Sequence, residues 1–215
     1  MRYKNIIFDF DGVLAESLQI KTNAFYKLYE KFDREIAQKV VDHHEANGGM
    51  SRYDKFPYYH KKFLNKDISE SEISQLSDNF SKIVVDAVIN VEEVKGAHWF
   101  LEKYYKKCNY WIVSATPTVE MIEIARKRGI ADFFIKIYGS PSDKKEVAKK
   151  ILKENNLAIN ETVFLGDAKS DFDAAKSNNI DFILRSTNEN KNLFRNKNMV
   201  RFKDYHELNK ILDNQ

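Results

Sequence analysis

Short apolar runs separated by amphipathic segments occupy the start of the chain and most of its second half. The runs lie at 5–10, 110–114, 133–139, 162–167 and 181–185, with a weaker one at 198–202. Because they are short and rich in β-branched and aromatic residues, they are typical of strands covered on both faces. Helical patterns lie between them at 97–107, 117–128, 143–155 and 170–178. This alternation predicts an α/β fold with a parallel sheet between two layers of helices.

The region between residues 16 and 90 follows a different pattern and contains almost no strand signal. Apolar residues at helical spacing mark one face with Leu18, Phe25, Leu28 and Phe32, and another with Ile36, Val40 and Val41. Ser69 and Glu72 have the spacing of a capping box, which predicts a helix start. We therefore predict an all-helical cap at 16–90, inserted into a core formed by 1–15 and 91–215. Hinges are expected near 13–17 and 90–96.

The composition is that of an ordinary globular protein. The 215 residues are 43% hydrophobic and 31% charged, which argues against disorder. The 35 basic and 32 acidic residues leave a formal net charge of +3, which is too weak to indicate a nucleic-acid partner. The single cysteine, Cys108, excludes an internal disulfide framework.

The sequence shows no targeting or membrane segment. The first apolar run is interrupted by Asp9 and Asp11, so it does not have the form of a signal peptide. No run approaches the roughly 20 apolar residues that a membrane-spanning helix needs. We therefore expect a cytoplasmic protein without a membrane partner, present as a monomer or a weak homodimer.

Acidic residues follow two of the predicted strands. Asp9 and Asp11 lie at the end of the first apolar run, and Asp167 and Asp171 follow "TVFLG". Because ligands of open parallel sheets bind at the carboxyl ends of the strands, we expect these carboxylates to converge. A hard cation would relieve their mutual repulsion, and a set of oxygen ligands suits Mg²⁺. Turn and helix-cap aspartates are the alternative, but two such pairs at strand ends make it the weaker one.

Two further strand ends carry groups suited to binding an anion. Ser114 ends "YWIVS", with Thr116 nearby, just before a predicted helix whose first N–H groups favour anions. Lys144 and Lys145 lie in the first turn of another predicted helix, where positive charge opposes the helix dipole. We interpret Lys144 as a functional charge and Lys145 as a surface lysine. Carboxylates, a hydroxyl, an ammonium group and a metal together predict phosphoryl transfer.

Four motifs in this order resemble those of the haloacid dehalogenase-like phosphatase superfamily. They are "DFDGV" at 9–13, Ser114 in "WIVSA", Lys144 in "SPSDKKE" and "GDAKSD" at 166–171. The resemblance covers nearly the whole chain and implies a Rossmann-like core. The helical insertion falls between the first two motifs, as in the subfamily of phosphoglycolate phosphatase and β-phosphoglucomutase. The resemblance therefore implies a Mg²⁺-dependent phosphatase that acts on a small phosphorylated metabolite, such as a sugar phosphate or a phosphoglycolate-like ester.

The resemblance also implies a role for each matching residue. Asp9 would attack the phosphorus and become an aspartyl phosphate, while Asp11 would protonate the leaving alcohol and then activate water. Ser114 would hold a phosphoryl oxygen, and Lys144 would neutralise charge on the phosphate and on Asp9. The residues expected to serve Mg²⁺ are Asp9, Asp11 through its backbone carbonyl, Asp167, and Asp171 by orienting water or ligands.

Three further residues are expected to bind the substrate. Gly12 and Ala115 lie beside the motif residues and are expected to contact it directly. Arg52 lies in "GMSR", which resembles the cap loop of β-phosphoglucomutase. By that resemblance Arg52 would contact a second phosphate, a carboxylate or a sugar hydroxyl of the substrate.

Two other interpretations of these residues stay open. A phosphosugar mutase would use the same core but needs a second phosphate site in the cap, which Arg52 allows. A non-enzymatic phospho-acceptor or regulatory domain also places acidic, hydroxyl and lysine groups at strand ends. Receiver domains of that kind are shorter, however, and lack both the helical insertion and the paired Asp9 and Asp11.

Overall fold

A computed structural model describes residues 2–192, 194–195 and 198–213. In this part of the chain six strands form one parallel sheet in the order β3-β2-β1-β4-β5-β6. The strands are β1 (Asn5–Phe8), β2 (Asn109–Pro117), β3 (Lys136–Ser140), β4 (Thr162–Gly166), β5 (Asp181–Arg185) and β6 (Arg201–Phe202). The predicted parallel α/β sheet is confirmed.

The helices of the described residues fall into two groups along the chain. The first group consists of α1 (Leu18–Tyr29), α2 (Arg34–Ala46), α3 (Arg52–Leu64) and α4 (Glu70–Asn90). The second consists of α5 (Ala97–Tyr104), α6 (Thr118–Lys127), α7 (Lys144–Glu154), α8 (Lys169–Ser177) and α9 (Tyr205–Asp213). No helix among the described residues is both long and apolar enough to cross a membrane.

Strand β1 lies in the middle of the sheet, and all four of its residues are buried. Ile6 and Phe8 pack on one face, with side chains of α5, α6 and α9, while Ile7 packs on the other face with α7 and α8. This alternation is what a strand covered on both sides requires. Its neighbours are β2 and β4, and Phe8 is in register with Ile112 and Leu165. The carboxyl ends of these three strands therefore lie side by side.

Helices α1–α4 pack against one another over the carboxyl end of β1. Phe25 of α1 contacts the rings of Phe56, Tyr59 and Phe80 at centroid distances of 4.5–5.9 Å. The predicted capping box starts α4, since Ser69 Oγ accepts from the Glu72 N–H and the Glu72 carboxylate accepts from the Ser69 N–H. We call this four-helix unit the cap.

Two linkers join the cap to the core, and they are hydrogen-bonded to each other. The Glu16 N–H donates to the Glu92 carbonyl at 3.0 Å, and the Val94 N–H donates to the Leu14 carbonyl at 3.0 Å. Ala15 and Glu93 form an antiparallel bridge between these bonds. The two linkers therefore form a single hydrogen-bonded connection between the cap and the core.

The sequence interpretation differs from the structure at several element ends. The run at 133–139 contains two structures, because Ala131–Phe133 forms a 3₁₀ turn and β3 begins only at Lys136. Phe32 lies beyond the end of α1 and is 45% exposed, so it does not share the buried face of Phe25. Helix α9 was not predicted, although Tyr205, Leu208 and Leu212 have helical spacing and are buried.

Candidate active site

Three carboxylates converge at the carboxyl end of the central strands. Asp9 follows β1 directly, Asp167 follows β4, and Asp171 lies in the first turn of α8. All three are buried, and one oxygen from each lies within 4.8 Å of the others. The convergence predicted from the strand ends is therefore present in the structure for these three residues.

Lys144 is the cation of this group. It begins α7, where Asp143 caps the helix by accepting from the Lys145 and Glu146 N–H groups. Its buried Nζ lies 3.0 Å from Asp9 Oδ2 and 2.7 Å from Asp171 Oδ1. These two carboxylates explain why a lysine occupies a helix N-terminus, where the helix dipole disfavours positive charge.

Burial dominates the electrostatics of the carboxylates. Loss of hydration raises the pKa of Asp9 to about 7, although the charge of Lys144 acts in the opposite direction. Burial also raises the pKa of Asp167 well above its usual range, and the negative charge of Asp9 adds to this shift. Burial alone would lower the pKa of Lys144, but the carboxylates of Asp171 and Asp9 raise it. The group thus holds three carboxyl groups and one ammonium group, and burial disfavours the ionised forms of Asp9 and Asp167.

These residues fit a hard divalent cation. The three carboxylates offer only oxygen atoms, in a buried place where their repulsion is costly, and a cation would relieve that cost. Asp171 already uses Oδ1 for Lys144 and Oδ2 for the N–H groups of Asp167 and Ala168. Asp9 and Asp167 are therefore the freer oxygen donors, while Asp171 fixes the loop that carries Asp167.

The carboxylate of Asp11 lies outside that cluster and has its own set of donors. Ser17 Oγ donates to Asp11 Oδ1 at 2.6 Å, and Thr116 Oγ1 donates to Oδ2 at 3.1 Å. Lys21 forms an ion pair with Asp11 and also donates to Thr116 Oγ1 at 2.7 Å. Burial alone would raise the pKa of Asp11, but Lys21 and the hydroxyl donors lower it.

Gly12 lets the chain turn away from Asp11 without covering the cluster. Its φ is +71°, a left-handed conformation that side chains rarely adopt, and its N–H donates to the Ala15 carbonyl at 2.8 Å. A Cβ atom at this position would lie 2.7 Å from Asp167 Oδ2. Glycine is therefore required here by backbone conformation and by the close approach of Asp167.

Ser114 and Ala115 line the approach to the carboxylates. Ser114 is buried, and its Oγ accepts from the Thr116 N–H at 3.1 Å. Ala115 lines a cavity of about 70 Å³ that is also lined by Asp9, Asp11 and Asp167. Ser114 and Lys144 line a neighbouring cleft of about 410 Å³. This cleft lies between the core and the loop at 47–51, which joins α2 to α3 and which we call the cap loop. The predicted core residues are thus placed around two adjoining spaces.

Arg52 lies on the cap wall of the smaller cavity, but its guanidinium group is already paired. It donates to both carboxylate oxygens of Glu120, at 3.0 and 2.8 Å, and to Ser81 Oγ at 2.7 Å. Glu120 belongs to α6 of the core, so this bidentate pair joins the cap to the core. In this arrangement Arg52 serves the cap–core connection.

Three cavity residues, Lys21, His44 and Lys55, were not predicted as site residues. Lys21 binds Asp11, and His44 and Lys55 lie on the cap wall with Nδ1 and Nζ 2.7 Å apart. A usable signal was present for Lys55, because it lies three residues after Arg52 and four before Tyr59, within a buried helical stripe. His44 is buried and packs against the ring of Phe25.

A known protein family covers most of the chain. The family model for haloacid dehalogenase-like hydrolases matches residues 6–185. Curated protein sequences give no match. Among solved structures, a predicted phosphoglycolate phosphatase from Haemophilus somnus has a TM-score of 0.77 at 19% identity and 99% coverage of both chains.

Two further solved structures are similar over almost their whole length. The β-phosphoglucomutase of Clostridium difficile has a TM-score of 0.75 at 20% identity, covering 98% of this chain and 96% of its own. A predicted phosphatase from Clostridium acetobutylicum has a TM-score of 0.72 at 20% identity, with 99% of both chains covered. At such identities these likenesses show the fold, and the match over 6–185 shows the family. The chain belongs to the haloacid dehalogenase-like hydrolase family.

Proposed function

We propose that the protein is a Mg²⁺-dependent phosphatase that hydrolyses a small phosphorylated metabolite through an aspartyl-phosphate intermediate. The observation that carries this proposal is the environment of Asp9. Its carboxylate is buried at the end of β1, 3.0 Å from Lys144 and grouped with Asp167 and Asp171. This arrangement suits a carboxylate nucleophile whose target carries several negative charges.

In the first step Asp9 attacks the phosphorus atom of the ester. A bond forms between the Asp9 carboxylate oxygen and phosphorus, while the bond from phosphorus to the ester oxygen breaks. The leaving alkoxide takes a proton from the carboxyl group of Asp11. Lys144 stabilises the phosphoryl oxygens as charge accumulates on them. Because Lys21 holds Asp11 ionised in the present arrangement, this step requires a loosening of that ion pair.

In the second step water hydrolyses the aspartyl phosphate. The Asp11 carboxylate accepts a proton from water, whose oxygen attacks phosphorus, and the bond to Asp9 breaks. Inorganic phosphate leaves and both aspartates return to their starting states. Lys21 and the hydroxyl donors outweigh the effect of burial and lower the pKa of Asp11, which favours the charge state that this second step requires.

Asp9 and Asp167, together with the backbone carbonyl of Asp11, would hold Mg²⁺, and Asp171 would keep the Asp167 loop in place. When bound, the ion supplies positive charge that offsets the repulsion between the aspartates and the phosphate.

The names of the structural relatives indicate two possible outcomes for one site, hydrolysis and phosphosugar mutation. A mutase must hold a second phosphate on the cap while the sugar reorients. The residue expected to do so, Arg52, is bound to Glu120 in a bidentate pair. This pairing removes the support that Arg52 would give to a mutase, so hydrolysis is the outcome that we propose, and the assay below tests it.

A single assay tests the proposal and separates the alternatives. Phosphate release from a panel of phosphorylated metabolites is measured with and without Mg²⁺, with Asp9→Asn as the blank. A phosphatase releases phosphate at many turnovers per enzyme, and a chelator stops it reversibly. Formation of a bisphosphate with no net release would indicate a mutase. Stable phosphate on Asp9 without turnover would indicate a phospho-acceptor domain.

A further inference from the structure

Lys55 is a buried lysine on the inner face of the cap. It lies on α3, is 1% exposed, and has its ammonium group 5.3 Å from the ring centre of Phe25. Its hydrogen-bonding partner is His44 Nδ1 at 2.7 Å. Lys55 forms no ion pair with any carboxylate of the described residues. A buried ammonium group without an opposing charge is costly, so its retention here needs an explanation.

The other buried or half-buried cations around the site are compensated. Arg52 is paired with Glu120, Lys21 with Asp11, and Lys144 with Asp9 and Asp171. Burial lowers the pKa of Lys55 well below its usual range, and the positive charge of Lys21 acts in the same direction. An anion beside Lys55 would favour the charged ammonium form and remove this imbalance.

His44 can support such an anion. It is buried with its ring 4.6 Å from that of Phe25, and burial lowers its pKa well below the usual range, so the imidazole is neutral. When Lys55 is an ammonium group it can only donate, so His44 Nδ1 accepts this bond and the ring proton lies on Nε2. The pair therefore offers two kinds of donor, the ammonium group and the imidazole N–H.

Lys55 and His44 lie close to the place where the reacting phosphate would bind. Lys55 and His44 line the same cavity as Asp9 and Asp11, and the charge of Asp11 is near enough to act on Lys55. A phosphate ester bound at Asp9 would extend its remaining atoms into this cavity. The far end of a short substrate then comes to the cap wall.

We propose that Lys55 and His44 form an anion-binding site on the cap, which selects phosphate esters that carry a second anionic group. This inference rests on the proposed function, because it needs the scissile phosphate at Asp9. The second group is a carboxylate or a phosphate, and both would accept hydrogen bonds from the pair.

The test compares matched substrates that differ only in that group. The neutral ester is 2-hydroxyethyl phosphate, the carboxylate ester is 2-phosphoglycolate, and the bisphosphate is 1,2-ethanediol bisphosphate, each with its three-carbon homologue. We expect the wild type to prefer at least one anionic ester over its neutral partner, and Lys55→Met to reduce that ratio of kcat/KM about 30-fold. Lys62→Met, at an exposed lysine of the same helix, should leave the ratio unchanged.

The outcomes separate this inference from the proposed function. If the wild type neither hydrolyses nor binds any ester of the panel, the proposed function fails. If it hydrolyses neutral and anionic esters equally well, the anion site is refuted while the phosphatase stands. The same conclusion follows if folded Lys55→Met keeps the wild-type preference. Should Lys55→Met not fold, Lys55→Gln and the wild-type preference itself decide the question.

Discussion

At the carboxyl edge of the sheet the buried charges occur in mixed groups, whereas the cap buries Lys55 beside a neutral histidine. Lys144 lies against Asp9 and Asp171, and these contacts are made entirely within the core. Lys55 contacts His44 and Phe25, both of them cap residues. The core is therefore equipped for the phosphoryl group by itself, while the cap contributes a site that only a ligand can complete. The difference separates the chemistry from the choice of substrate.

Removing the core cation should have the largest effect. In Lys144→Met the charges of Asp9, Asp171 and the phosphate lose their buried counter-charge, so we expect kcat to fall about 1,000-fold. The neighbouring Lys145→Met is the control, because Lys145 is exposed and its side chain takes no part in the cluster. Steady-state kinetics on one substrate compares them. Equal activities of the two variants would show that the position of Lys144 against Asp9 is irrelevant to turnover.

The carboxylate cluster should destabilise the metal-free protein at high pH. The pKa of Asp9 is raised from 3.8 to about 7 and that of Asp167 is raised well above 3.8, so the folded state binds protons more tightly than the unfolded state. The stabilising contribution of Asp9 is therefore fully present below pH 3.8 and is lost as pH rises through about 7. Thermal unfolding in a chelator, from pH 5 to pH 9, measures this slope.

Asp167→Asn removes one of these charges and one metal-binding oxygen. At pH 8 without metal we expect its melting temperature to exceed that of the wild type by about 3 °C. Its apparent affinity for Mg²⁺ should fall at least about 100-fold, since even outer partners of metal ligands have effects of this size. A wild type that gains no thermal stability from Mg²⁺ would contradict the assignment of the cluster as a metal site.

The smallest of these effects concerns the contact of the cap loop with the core. A Cβ at Gly49 would lie 1.8 Å from Ser170 Oγ and 2.9 Å from Ser170 Cβ, whereas at Gly48 its nearest contact would be Ala168 Cβ at 4.0 Å. We expect Gly49→Ala to hold the loop off α8 and raise KM by about fivefold, an effect below 1 kcal/mol. Gly48→Ala should stay near the wild type. Adding Ser170→Ala should restore part of the loss; no change of KM in Gly49→Ala would mean that the loop does not close there.

The core site could be predicted from the sequence because strand ends fix where side chains meet. An apolar run buried on both faces stops where charge begins, so Asp9 and Asp167 were located by the ends of their strands. The structure brings their oxygens together with that of Asp171. The direction of the Asp11 carboxylate was not predictable, because Lys21 and Ser17 come from the cap side of the linker.

The cap wall was harder to predict because helices bring residues together without marking the place. The "GMSR" motif was a reason to single out Arg52. Its pairing with Glu120, 68 residues away in the chain, depends on how α3 meets α6. The helical spacing of Lys55 from Tyr59 indicates a shared buried face, but that spacing does not show that Lys55 lines the cavity. Packing between helices, which periodicity does not specify, decides which of these cations a ligand can reach.

The most direct test of the account is to trap the intermediate on Asp9. The enzyme is quenched during steady turnover of its best substrate from the panel, treated with borohydride, and digested for mass spectrometry. We expect Asp9 to be reduced to homoserine, because an acyl phosphate is reduced and a free carboxylate is not. Homoserine at position 9 should be absent without substrate, and it should also be absent in Asp9→Asn. Sustained phosphate release with Asp9 unmodified, or turnover by a pure Asp9→Asn preparation, would contradict the account.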